Sequence, residues 1–206
     1  MKKSQVPLMT YLRAVTIERK TKETQITLTL DLDGRGKADV RTGVGFLDHM
    51  LDHLAKHSLS DLSVAAKGDL QVDDHHTTED VGICLGNALA KALGDKAGIH
   101  RYGWASVPME EALANVALDI SGRAGVVFNV KFSGDKIGTF DVQLVEEFLR
   151  AICREAGINL HVNVPYGTND HHVAEAIFKA IAQALRTAKS IDPNRKGEVP
   201  STKGSL

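Results

Sequence analysis

One six-residue pattern occurs twice in this chain and constrains it more than any other feature. The first copy reads Asp74-His75-His76-Thr77-Thr78-Glu79 and the second Asp170-His171-His172-Val173-Ala174-Glu175. An apolar stripe follows each glutamate: Val81, Cys84, Leu85, Ala88, Leu89, Ala92 and Leu93 after the first, and Ile177, Ala180, Ile181, Ala184 and Leu185 after the second. That spacing is helical, so each motif opens a helix. The helix then dictates the chemistry. His75 and Glu79 are four residues apart, on one face, where they can share a cation, and His171 and Glu175 repeat the arrangement. Adjacent histidines point about 100° apart around a helix, so a single ion does not take both. Two copies at equivalent positions of a repeat therefore predict two metal sites, each drawing on both halves of the chain.

Composition narrows the setting. A length of 206 residues admits one large domain or two small ones. Hydrophobic residues make up 43% and charged residues 25%, the balance of a soluble globular chain, and a net charge of −1 argues against a general nucleic-acid binder. Cys84 and Cys153 both fall among apolar neighbours in helical patterns. They read as buried free thiols in a reducing compartment. Met1-Lys2-Lys3 is basic, but no apolar run follows it, and no stretch approaches a membrane span. The expectation is a cytoplasmic protein with no membrane or nucleic-acid partner.

In chain order, residues 1–12 read as a leader. Thr24 to Leu32 alternates polar and apolar residues, a half-buried strand turned by Asp33-Gly34. Gly43 and Gly45 lead into a helix over 46–57, with Leu47, Met50, Leu51 and Leu54 inward and His49, His53 and His57 sharing another face. A short strand over Asp61 to Lys67 precedes the first motif helix, 75–93. A glycine-rich connection over 94–103 carries Arg101. The second half replays the first. Leu118-Asp119-Ile120-Ser121-Gly122-Arg123 echoes Leu30-Asp31-Leu32-Asp33-Gly34-Arg35, a helix from Phe140 to Ala156 matches 46–57, a strand over 157–162 follows, and the helix 171–188 matches 75–93. The expected units are a first repeat half, 13–104, a second, 105–188, and a tail, 189–206, that places Ser201, Thr202 and Lys203 on a turn. Neither half buries both its sheet and its helices alone. The predicted fold class is α/β (α+β): duplicated βαβα-type halves whose two sheets enclose a four-helix layer, with the two motif helices side by side.

Aligning the halves on the Leu-x-Val strand that follows each earlier helix pairs His49 with Glu147. A symmetric ligand assignment follows. One ion takes His49, His76, His171 and Glu175; the other takes His75, Glu79, Glu147 and His172. Four ligands leave positions open on an octahedral ion, which marks a catalytic site. His161, on the strand before the second motif, is expected behind the ligands or in the core. The pattern gives His53 no role.

The FLDHML segment, DDHHTTED, the second DHHxxEA, the LDxSGR element and the closing PSTKG together resemble the imidazoleglycerol-phosphate dehydratases of histidine biosynthesis, from about Arg13 to Leu206. The resemblance implies a carbon–oxygen hydro-lyase with a ribosomal protein S5 domain 2-like fold in each half. It also implies two Mn²⁺ ions per active site, other divalent metals being an alternative, and a 24-subunit homo-oligomer (a 24-mer) with its sites at subunit contacts. Two positions depart from the family pattern: many relatives carry histidine where Glu147 stands, and a proline is common where Gly45 stands.

The family's reaction converts D-erythro-imidazole glycerol phosphate to imidazole acetol phosphate. Its difficulty is a hydrogen on a carbon with no carbonyl beside it. Two cations, one on each ring nitrogen, let the ring become an imidazolate. Its electrons can expel the neighbouring hydroxyl, and the diazafulvene-like intermediate has an acidic C–H. The resemblance makes Glu23 the proton-moving carboxylate, with Glu175 as the second catalytic residue. By itself Glu23 reads as an ordinary strand-edge charge. Substrate contacts carried over by resemblance are Glu23, His49, His57, His75, His76, Glu79, Arg101, Arg123, His171, Glu175, Ser201, Thr202 and Lys203, with Arg101, Arg123, Ser201 and Lys203 on the phosphate. Without the resemblance, the motifs also suit a binuclear phosphate-ester hydrolase or a metal-storage assembly.

Overall fold

Alternation builds the sheets. Strand β2, Thr24–Asp31, buries Thr24, Ile26, Leu28 and Leu30 and exposes the residues between them, so one face turns to the core and the other to solvent. The computed structural model describes residues 12–206; the expected leader lies outside the described residues except for Leu12. β1 spans Ala14–Lys20, β3 Ala38–Arg41, α1 Gly45–Ser58, β4 Asp61–Gly68 and α2 His75–Leu93. The second round runs β5 Tyr102–Met109, β6 Ala112–Asp119, β7 Gly125–Asn129, a small β8–β9 hairpin (Lys136–Ile137, Phe140–Asp141), α3 Gln143–Ala156, β10 Asn159–Tyr166 and α4 Asp170–Lys189.

The two four-stranded sheets have matching orders, β1-β2-β4-β3 and β5-β6-β10-β7. In each, the third and last strands pair in parallel and the others antiparallel. The helices lie between the sheets in one continuous apolar core. This is the duplicated α/β fold expected from the repeat. The helix pairing differs from the expectation of side-by-side motif helices: α2 packs against α3, and α4 against α1. Two glycines account for the first seam. A Cβ on Gly82 would meet Ala151 Cβ at 2.9 Å and Phe148 O at 3.0 Å, and one on Gly86 would meet Ile152 O and Glu155 Cβ at 2.7 Å. The α2 and α3 backbones thus approach where only glycine fits.

Element ends also shift from the sequence reading. α3 starts at Gln143, because Phe140–Asp141 is taken up by the β8–β9 hairpin. β10 starts at Asn159, because Gly157 adopts φ 65° to cap α3. Strands β1, β3, β5 and β7 and the β8–β9 hairpin escape the sequence reading, and β5 begins inside the glycine-rich connection. His161 belongs neither to the core nor behind the ligands. It is exposed on the outer face of the second sheet, in one row with Trp104, Ala117 and Val127.

Candidate active site

The α1–α4 seam assembles the first ligand group. His49 on α1 and His171 and Glu175 on α4 each offer one donor atom, all within 4.8 Å of one another. Glu175 is buried, with Lys179 Nζ at 2.5 Å, His171 Nε2 at 3.2 Å, His53 Nε2 at 3.3 Å and His49 Nε2 at 3.5 Å. Burial pushes its carboxyl up, but Lys179 and the histidines outweigh that and hold it at about 2. A carboxylate so held stays ionised and is a weak base at neutral pH. His53, which the sequence left without a role, is pushed down to about 4 by burial, against the pull of Glu175. It stands 3.3 Å from His49, Nε2 to Nε2. His57 follows one turn along, its ring stacked on His53 at 5.8 Å. It belongs to this seam and does not line the cavity that holds Arg101 and Arg123.

The second group is built on the glycine-tightened α2–α3 seam from His75, Glu79 and Glu147, again with donors within 4.8 Å. Arg154 Nη2 reaches Glu79 at 3.5 Å. Two imidazole nitrogens with one carboxylate oxygen, or one nitrogen with two, are donor sets that fit a divalent cation.

The remaining motif histidines turn away from both groups. The ring centroids of His75 and His76 stand 6.1 Å apart and those of His171 and His172 6.3 Å apart, because neighbouring side chains leave a helix about 100° apart. Within one chain His76 therefore does not join His49, His171 and Glu175, nor does His172 join His75, Glu79 and Glu147. Each outward ring is held at Nδ1 by a carboxylate, His76 by Asp69 at 3.0 Å and His172 by Glu111 at 2.7 Å. Glu23 Oε1 lies 4.0 Å from His76 Nε2. The turn carrying Glu23 is braced to α2 by buried Asp80, which takes the Thr24 hydroxyl at 2.5 Å and Arg19 at 2.9 Å. Sequence reasoning missed Asp69, Asp80, Glu111 and Lys179. For Lys179 the signal is its place four residues after Glu175; for Glu111 it is the repeat itself.

A third region lies at the far end of α4. Arg101, Arg123, Ser201, Thr202 and Lys203 line one cavity of about 560 Å³, with Arg195 beside them. Arg101 adopts φ 74°. Its guanidinium makes paired bonds to Asp119 at 2.6 and 3.0 Å and one to the Pro200 carbonyl at 2.8 Å, which ties down the tail. Its backbone N–H donates to Ala188 O at 2.9 Å. Ala188 lies thirteen residues beyond Glu175 on α4, so this cavity is about 20 Å from the first ligand group.

Comparison with known proteins agrees with this architecture. The sequence model of the imidazoleglycerol-phosphate dehydratase family matches residues 42–185. The chain is 57% identical over 194 residues to imidazoleglycerol-phosphate dehydratase of Brucella suis, covering 94% of this chain and 96% of that one. Crystal structures of the dehydratases from Staphylococcus aureus and Pyrococcus furiosus, the latter in complex with (S)-C348, both superpose with TM-scores of 0.80. Their identities are 41% and 36%; the matches cover 87% and 92% of this chain and 99% and 100% of theirs. Two sheets, four helices, paired His-His-x-x-Glu motifs and close relatives along most of its length thus converge: the chain belongs to the imidazoleglycerol-phosphate dehydratase family, the hydro-lyases (EC 4.2.1.19) of histidine biosynthesis.

Proposed function

We propose that the chain dehydrates D-erythro-imidazole glycerol phosphate to imidazole acetol phosphate at a site holding two Mn²⁺ ions. The observation that carries this reading is the presence of two three-donor groups in a chain that also has an arginine-lined cavity. When bound, the two cations would supply Lewis acidity at the two ring nitrogens of the substrate. His49, His171 and Glu175 would hold one ion, and His75, Glu79 and Glu147 the other. Glu23, free at the turn before β2, would move protons at the substrate side chain. Glu175, wrapped by Lys179 and three histidines, serves as a ligand. Arg101, Arg123, Ser201, Thr202 and Lys203 would grip the phosphate.

Two features support sites shared between subunits. His76 and His172 turn out of their own chain's groups, so they are available to complete groups on a neighbour. The phosphate cavity is about a helix length from the first ligand group, farther than a ring and a three-carbon chain reach, so it would serve a neighbour's metals. The outer face of the second sheet also exposes Trp104 (74%) beside Tyr102 and Val127, while that of the first sheet carries polar residues. A homo-oligomer, the 24-subunit cage of the family pattern, accommodates all three features. A cytoplasmic location suits two cysteines carried as free thiols, Cys84 and Cys153. Among the described residues, no helix is long and apolar enough to cross a membrane.

The test is turnover of imidazole glycerol phosphate by metal-depleted protein to which Mn²⁺ is returned, with light scattering followed throughout. The expected result is the ketone without free phosphate, and a particle that shrinks on chelation and re-forms with Mn²⁺. Phosphate release would instead make it a hydrolase, and metal binding without turnover would make it a storage assembly.

A further inference from the structure

The repeat register reaches beyond the motif helices. Asp31 lies opposite Asp61, and Asp119 opposite Asn159, which sets β2 on β6. Eight residues back from each, Glu23 falls on Glu111. Each is the second residue of a two-residue hairpin turn, Lys22-Glu23 between β1 and β2 and Glu110-Glu111 between β5 and β6. Each also lies beside the outward histidine of its own half's motif, Glu23 beside His76 and Glu111 beside His172.

The two copies engage those histidines differently. Glu23 faces Nε2 at 4.0 Å, with its side chain 52% exposed, and Asp69 occupies the Nδ1 of that ring. Glu111 takes the Nδ1 position itself. Its Oε2 is 2.7 Å from His172 Nδ1, and its Oε1 accepts the backbone N–H groups of Asn169 at 2.8 Å and Thr168 at 3.1 Å. Both carboxylate oxygens are thereby fixed. Asn169 in turn caps α4, its side chain accepting from His171 N and His172 N.

We propose that Glu111 is a positioning residue that fixes the ring and tautomer of His172, so that Nε2 presents its lone pair to a metal ion. This rests on the two-metal reading above. A carboxylate on Nδ1–H keeps the proton off Nε2, raises the basicity of the ligand nitrogen and sets the ring's rotation. The duplicated glutamate has thus divided its work. The copy at 23 is left free to move protons, and the copy at 111 is locked as a support. Asp69 is the corresponding support for His76, recruited from the end of β4 because Glu23 is otherwise engaged.

Glu111→Gln separates this role from a simple loop brace. The Gln carbonyl can still accept from Asn169 and Thr168, but its NH₂ then faces Nδ1. Nδ1 must become the acceptor, which moves the proton to Nε2, the wrong tautomer for a ligand. The measurement is Mn²⁺ titration of metal-depleted protein, with free Mn²⁺ read by electron paramagnetic resonance, alongside the melting temperature without metal. In Glu111→Gln one of two Mn²⁺ sites should weaken about 10- to 100-fold and the other stay within about twofold, at an unchanged metal-free melting temperature. Glu111→Ala should weaken the same site and also lower that melting temperature. Wild-type affinity at both sites in both variants would overturn the assignment, as would an equal loss at both sites. Wild-type protein that binds fewer than two Mn²⁺ per subunit would overturn the two-metal reading itself, and the positioning role with it.

Discussion

Glu175 and Glu79 hold corresponding places in the two motifs, yet the first side chain is 8% exposed and the second 31%. Around Glu175 the α1–α4 seam gathers His53 and Lys179, a polar net that fixes the carboxylate by charge. Around Glu79 the α2–α3 seam relies on backbone proximity, with Gly82 and Gly86 letting α3 bring Glu147 to His75 and Glu79. The supports at the turns invert this contrast. In the first half Asp80 ties Thr24 and Arg19 to α2. The matching residues of the second half, Ala176, Ala112 and Val107, are apolar, and there Glu111 reaches its histidine directly. Duplication thus preserved which positions reach the ligand groups, while the residue type at one of them (His49 against Glu147) and the means of holding them diverged.

The turn residues offer the largest test of this contrast. Glu23→Gln keeps the shape and removes the proton acceptor, so turnover should fall about 10²-fold or more while Mn²⁺ content stays at the wild-type value. Steady-state kinetics with metal analysis checks both. Activity within a few-fold of wild type would return Glu23 to an ordinary strand-edge charge.

The seams provide the next test. Gly86→Ala forces a methyl toward Ile152 O and Glu155 Cβ, each 2.7 Å from where it would stand. Such overpacking should lower stability by about 1–3 kcal/mol in urea unfolding. It should also weaken Mn²⁺ binding at the group containing Glu79 and Glu147 more than at the group containing Glu175. Equal weakening would mean that the α2–α3 approach does not set the second group.

The helix ends supply the smallest effect. Leu93 near the end of α2 is buried as an ordinary apolar residue, whereas its counterpart on α4, Lys189, buries an ammonium against the Leu32 and Leu59 carbonyls. Burial pushes Lys189 down to about 8 from 10.5. Between those values the unfolded chain holds a proton that the folded chain has released, so stability should rise with pH across that window. Relative to Lys189→Met, wild-type stability should gain about 1 kcal/mol per pH unit from pH 8 to 10. A flat difference across that range in denaturant titrations would show that the amine is not desolvated as its burial implies.

Much of this was legible in the chain because it is local. The 3.6-residue period placed the motifs at helix starts, and the i, i+4 spacing put His75 with Glu79 and His171 with Glu175. The repeat register matched His49 with Glu147, and both lie in the expected groups. That only one histidine of each His-His pair enters its own chain's group also follows from the divergence of neighbouring side chains around a helix. What the sequence could not decide is which helices face one another. That choice depends on how closely backbones approach across the core, and Gly82 and Gly86 select α3 as the partner of α2 through contacts with residues more than sixty positions away in the chain. The same long-range packing brings Glu111 onto His172, puts His53 against Glu175 and separates the arginine-lined cavity from the ligand groups. Periodicity fixes which face of a helix a side chain takes. Only the packed core fixes what that face meets.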